Sequence, residues 1–214
     1  MNAQVALRAF PDSPRADLKL QLNAVANDFS KRGQSNFPLT SYSGISLLNW
    51  PIYARSVGHS HAVGIDPWQQ PEIQTNFLSD PYDQAIAVAG LRAARKLAEQ
   101  PALKAFIVDE TFPGVDHCSD AELLAYAHGT GLTVYHPIAT CRMGLDAQRS
   151  VVDAQLRVHG LQGLRIADAS VMPTITSGNT SVPCMLIGER CAEMVLAAAL
   201  SPDNTVTVTA TPSQ

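Results

Sequence analysis

Apolar positions recur at helical spacing in three stretches of the chain. Between residues 80 and 99, Ile86, Leu91, Ala94, Leu97 and Ala98 form a broad stripe. Asp80 stands where a side chain can cap the first turn, and Pro81 suits that turn because its missing N–H would have no partner there anyway. The pattern predicts a helix that ends before Pro101. A second helix begins at Ser119, where Glu122 three residues on completes a capping box, and runs to about Ala127, with Gly129 and Gly131 as the stop. The third, over 182–200, is apolar on nearly every side, which predicts burial all round.

Strand signals are weaker. Residues 17–22 (DLKLQL) alternate at period two, residues 44–53 mix apolar and polar positions, and residues 164–167 are a short apolar run that enters Asp168. Residues 30–78 hold few helix signals and many turn formers, so they predict a sheet with long connections. The fold class is therefore α+β, an antiparallel or mixed sheet with packed helices. There is no internal repeat and no regular βαβ alternation. Residues 1–200 form the structured region, and the Thr-, Ser- and Pro-rich 201–214 are expected to be a flexible tail.

The chain has 214 residues, 46% of them hydrophobic, enough to bury a core as one large domain or two small ones. The 15 basic and 19 acidic side chains are well mixed and sum to −4, so no basic stripe invites nucleic acid. Four cysteines show neither CxxC nor a Cys/His cluster, which argues against structural zinc and a disulfide framework and for a reduced compartment. No window approaches the roughly 18 apolar residues of a membrane span. A cytoplasmic location is expected, with peripheral membrane association left open.

Candidate chemistry gathers in YHPIATCRMG (135–144) and in LRIADASVMPTITSGNTSVPCMLIGERCAEMV (164–195). Pro137 pushes His136 out of helical conformation into a loop that can approach a ligand. An imidazole, titrating ordinarily near pH ~6.5, can take a hydroxyl proton. Its structural alternative is a ring that hydrogen-bonds a loop. Asn179 cannot act as a base, but its amide can donate to a developing alkoxide; the alternative is a left-handed or helix-capping asparagine after Gly178. The first amides of the last helix suit an anionic ligand or a reduced cofactor ring. Asp168 could accept from a hydroxylated ligand or cap the next turn. His59 and His61 share one face of a hairpin-like stretch without a third metal ligand, while His117 and His159 read as surface or turn residues. Cys184 and Cys191, seven apart, read as core.

Together with PEIQTNFLSDPYDQ (71–84), these segments resemble the C-terminal part of the glucose-methanol-choline (GMC) flavoprotein oxidoreductases over approximately residues 50–200. The resemblance implies the family's C-terminal substrate-binding domain, plus the strand and helix that complete its FAD domain. It makes His136 the residue beside flavin N5, as base or as hydrogen bond to the substrate hydroxyl, and Asn179 its partner. Asparagine at that position is more like the choline dehydrogenase branch than the glucose oxidase branch. Asp168 and Ala169 of the DAS turn, with Thr180, Ser181 and Val182 at the last helix, are implied to lie against FAD. The implied reaction removes a proton from the CH–OH group of a small alcohol, passes hydride to the flavin and yields an aldehyde or ketone, with oxygen or a quinone as electron acceptor.

Two departures qualify the resemblance. Ala139 stands where the family usually has glycine, which predicts modest strain or a shifted loop. No GxGxxG occurs after a strand anywhere in the chain; Gly129 and Gly131 give only GxG after a helix. The expectation is therefore a catalytic part that works with a separate FAD-binding half, lost or supplied by a second polypeptide. The alternative is a non-catalytic remnant or interaction module of the same fold. A histidine-dependent hydrolase is disfavoured because no GxSxG elbow is present.

Overall fold

The structure, a computed structural model, describes residues 2–28, 31 and 38–200. The expected tail over 201–214, and residues 30 and 32–37 of the expected sheet region, lie outside the described residues. The chain divides into two compact units, Met1–Val134 and Tyr135–Gln214.

The first unit is built on a three-stranded antiparallel sheet of β1 (Asn2–Leu7), β2 (Leu18–Asn23) and β3 (Ser46–Pro51), in that order. In the central β2, Leu18 and Leu20 lie on one face and are buried, as the alternation in 17–22 predicts. The β1 strand escaped the sequence pattern because it is an edge strand whose Val5, opposite Leu20, is 44% exposed. A two-stranded hairpin, β4 (His59–His61) with β5 (Glu72–Gln74), carries the His59 and His61 pair.

Helix α1 (Pro81–Ala98) packs on β2 and β3. Its N-cap is Asp80, whose carboxylate accepts from the Tyr82 N–H at 2.8 Å. The buried face runs through Asp83, Ile86, Ala87, Gly90 and Ala94, and thus carries a charge and a glycine that the apolar stripe did not reveal. At Gly90 a Cβ would come within 2.2 Å of Asn49 Oδ1 and 2.9 Å of Asn49 Cβ, so only glycine allows this approach of α1 to β3. The one-turn α2 (Pro101–Lys104) follows. Helix α3 (Asp120–Thr130) begins with the expected capping box between Ser119 and Glu122. It continues three residues beyond Ala127, because a lone glycine at 129 weakens a helix without ending it, and Gly131 supplies the C-cap.

The second unit packs around Val152, Leu156 and Val171. Residues 164–167, expected as a strand, form only an isolated bridge, Arg157 with Arg165, since no neighbouring strand of this unit offers them a ladder. Helix α4 (Ser181–Ala199) lies on the cluster through Ile187, Cys191 and Met194. None of its residues is fully buried, which corrects the expectation of burial all round. Val182, Met185, Leu186, Leu196 and Leu200 are 58–84% exposed. No helix among the described residues is long and apolar enough to cross a membrane.

Candidate functional site

The two segments singled out in the sequence are joined in the second unit. Main-chain bonds from Cys141 N–H to Ser170 C=O (3.0 Å) and from Met143 N–H to Val171 C=O (2.9 Å) pin the histidine-bearing loop to the turn that follows Asp168. That turn, a short 3-10 helix over Ala169–Val171, exists because the Asp168 carboxylate accepts the Ser170 N–H at 2.8 Å. Val171 then drops into the core with no exposed surface, which anchors both segments to α4.

His136 is half-buried at the head of its loop. Its Nδ1 lies 2.8 Å from Thr180 Oγ1, across 44 residues of sequence. Among the described residues nothing else hydrogen-bonds the ring, so Nε2 is left for a ligand. Tyr135 and Ala139 on either side have positive φ, 61° and 70°. The left-handed turn at 139 is thus retained with alanine in it, and the expected consequence is strain rather than a shifted loop.

Thr180 is 7% exposed and is the N-cap of α4 by position, yet its hydroxyl makes no cap bond to the helix. It has turned to the histidine instead. The Ser181 and Val182 amides consequently have no acceptor among the described residues, and Pro183 after them has no amide hydrogen. Two free N–H groups at the positive end of a 19-residue helix suit an electron-rich ring edge or an anion. Asp168 is exposed and spends one carboxylate oxygen on its turn, so it fills the capping role and keeps the other oxygen for a ligand.

Asn179 is exposed and adopts neither of its structural alternatives: its φ is not positive, and the N-cap is Thr180. It stands next in sequence to the residue on His136, but no hydrogen bond joins Asn179 to the ring. The structure therefore brings together His136 and Thr180, with Ser181, Val182 and Asn179 beside them. The Thr180 contact was invisible in the sequence, where the family resemblance implied that Thr180 lies against FAD and nothing tied it to His136.

Three other histidines contact groups near them in the chain or across the hairpin. His159 Nε2 lies 3.1 Å from Gly144 C=O and 3.3 Å from Ser150 Oγ, closing the loop between them. His59 and His61 stack with ring centroids 4.9 Å apart, and His59 faces Glu72 at 3.8 Å. No group of three or more metal-ligating side chains suited to an ion occurs among the described residues.

Comparison with known proteins gives this arrangement a context. The GMC oxidoreductase C-terminal family model matches residues 54–188. Choline oxidase of Arthrobacter globiformis is 38% identical over 86% of this chain and 34% of its own length. Oxygen-dependent choline dehydrogenase of Escherichia coli K12 is 40% identical over 65% of this chain and 25% of its own. Among solved structures, pyridoxine 4-oxidase from Mesorbium loti superposes with a TM-score of 0.79 at 26% identity, over 91% of this chain and 37% of that one. An FAD-dependent oxidoreductase from Chaetomium thermophilum gives 0.68 at 26% identity, over 72% and 27%. The chain thus spans about a quarter to a third of the length of the curated relatives it matches.

Proposed function

The chain belongs to the GMC oxidoreductase family, and from that premise we propose that it is the substrate-binding and catalytic part of an FAD-dependent enzyme that oxidises the CH–OH group of a small alcohol to an aldehyde or ketone. The observation that carries the reading is the joining of His136 to the open start of α4 within one unit. His136 Nε2 meets the substrate hydroxyl, as base or as hydrogen-bond partner, and the Asn179 amide donates to the oxygen as charge develops on it.

FAD, when bound, supplies the two-electron acceptor for the carbon being oxidised. The Ser181 and Val182 amides, with Asp168 and Ala169 of the adjacent turn, are the groups that would hold its ring, and Thr180 holds His136 beside them. The ADP portion of the cofactor calls for a GxGxxG-bearing segment, a motif that these 214 residues do not contain. Oxygen or a quinone takes the electrons onward. Choline, named in two relatives, is the first alcohol to test.

A second reading, a non-catalytic module of the same fold, draws on the exposed apolar face of α4. Co-expression with a GxGxxG-bearing half from a family member separates the two. Visible flavin absorbance and dye-linked alcohol oxidation are the expected outcome; a folded complex that retains flavin but oxidises no alcohol would favour the module.

A further inference from the structure

We infer that Thr180 is a positioning residue that donates its hydroxyl hydrogen to His136 Nδ1 and so fixes the neutral ring with its proton on Nε2. The argument is one of hydrogen accounting. Thr180 is a buried residue, 7% exposed, its hydroxyl makes no bond to the amides of the helix it heads, and that hydroxyl's one partner among the described residues is Nδ1 at 2.8 Å. Two arrangements fit that distance. If Nδ1–H donated, the hydroxyl hydrogen would have no acceptor among the described residues. If the hydroxyl donates, its hydrogen is satisfied and only oxygen lone pairs are left over, the cheaper deficit in a buried setting. The second arrangement is therefore favoured.

The consequence is an asymmetry at the site. A neutral imidazole that accepts at Nδ1 carries its hydrogen on Nε2, and so presents a donor to the ligand side. Resting on the reading proposed above, this fixes the state in which His136 meets a substrate: the neutral ring donates from Nε2 to the substrate oxygen, and before it takes the hydroxyl proton there its own hydrogen must move to Nδ1, with Thr180 turning from donor to acceptor.

The test reads the ring and not turnover. With 15N-histidine in the full chain, long-range proton–nitrogen NMR at a pH well above the ordinary imidazole value of about 6.5 reports which nitrogen of each of the six histidines carries hydrogen. Loss of one signal set in His136→Gln assigns the ring. The expected pattern for His136 is an unprotonated Nδ1 and a protonated Nε2. Thr180→Val should shift the Nδ1 resonance toward that of a nitrogen accepting no bond, and Thr180→Ser should restore it. A protonated Nδ1 in the unsubstituted chain, or a Thr180→Val spectrum identical to it, would overturn the inference. Neither result depends on flavin, so failure here is distinct from failure to reconstitute oxidation.

Discussion

Tyr135 and Ala139 both adopt left-handed backbone, and the loop between them carries His136. A residue with a Cβ costs about 1–2 kcal/mol there, because the side chain crowds its own carbonyl. Ala139→Gly removes that cost but adds about 0.5–1 kcal/mol of backbone entropy lost on folding. The expected net gain is on the order of 0.5–1 kcal/mol, read as a higher urea midpoint. Ala139→Val should lose more than about 1 kcal/mol. A glycine variant less stable than the parent would show that the left-handed turn at 139 is not populated in solution.

In the first unit, Asp17 accepts from Ser13 Oγ (2.6 Å), the Ala9 N–H (2.7 Å) and the Tyr82 hydroxyl (3.1 Å). Burial pushes its carboxyl pKa up, but these donors outweigh burial and hold it below its ordinary value. The bond contributes stability in full above the unfolded pKa of about 3.9, and that stability is lost as pH falls through the lower folded value. Burial, and then the bond to Asp17, push Tyr82 the other way, above its ordinary value. Its contribution is present below about pH 10 and lost as pH rises through the folded value. Tyr82→Phe should therefore weaken the alkaline dependence of stability and cost about 1.5–3 kcal/mol near neutrality, the worth of a bond to a charged group. Chemical denaturation across pH tests this; an unchanged alkaline limb would refute it.

The sequence revealed what local chemistry decides and missed what distant contacts decide. Asp80, Pro81, Ser119 and Glu122 announced α1 and α3 because caps act over three or four residues, and alternation in 17–22 located β2. By contrast, Asp83 reads as a polar first-turn residue, but it is 2% exposed and accepts the N–H groups of Arg55 and Ser56 from 28 and 27 residues away. Apolar composition made α4 look buried, since a sequence shows that a side chain is hydrophobic and not whether something covers it. His136 and Asn179 stood out through their settings. The bond from Thr180 to His136 spans 44 residues, and no periodicity encodes it.

Helix α4 rests on its unit through Ile187, Cys191 and Met194, and Met185 and Leu196 point to the opposite side. Exposed apolar surface of this kind drives association in water. The chain alone should sediment as more than a monomer, and Met185→Glu with Leu196→Glu should shift it toward monomer without loss of helical circular dichroism. If the pair of substitutions unfolds the chain instead, that face is packed rather than open.

The roles proposed for His136 and Asn179 make separable kinetic predictions in the flavin-loaded, reconstituted enzyme. His136→Ala removes the group whose Nε2 meets the substrate hydroxyl, and should lower turnover by about 10²-fold or more. Asn179→Ala removes one donor to the developing oxygen charge and should cost less, no more than about 10²-fold, chiefly in kcat because the charge develops only on the way to the transition state. Flavin content should be unchanged in both, since the ring-holding amides of Ser181 and Val182 belong to the main chain. Unchanged turnover in His136→Ala would make that residue a purely structural partner of Thr180. Loss of flavin in Asn179→Ala, with kcat per bound flavin preserved, would make Asn179 a cofactor anchor instead.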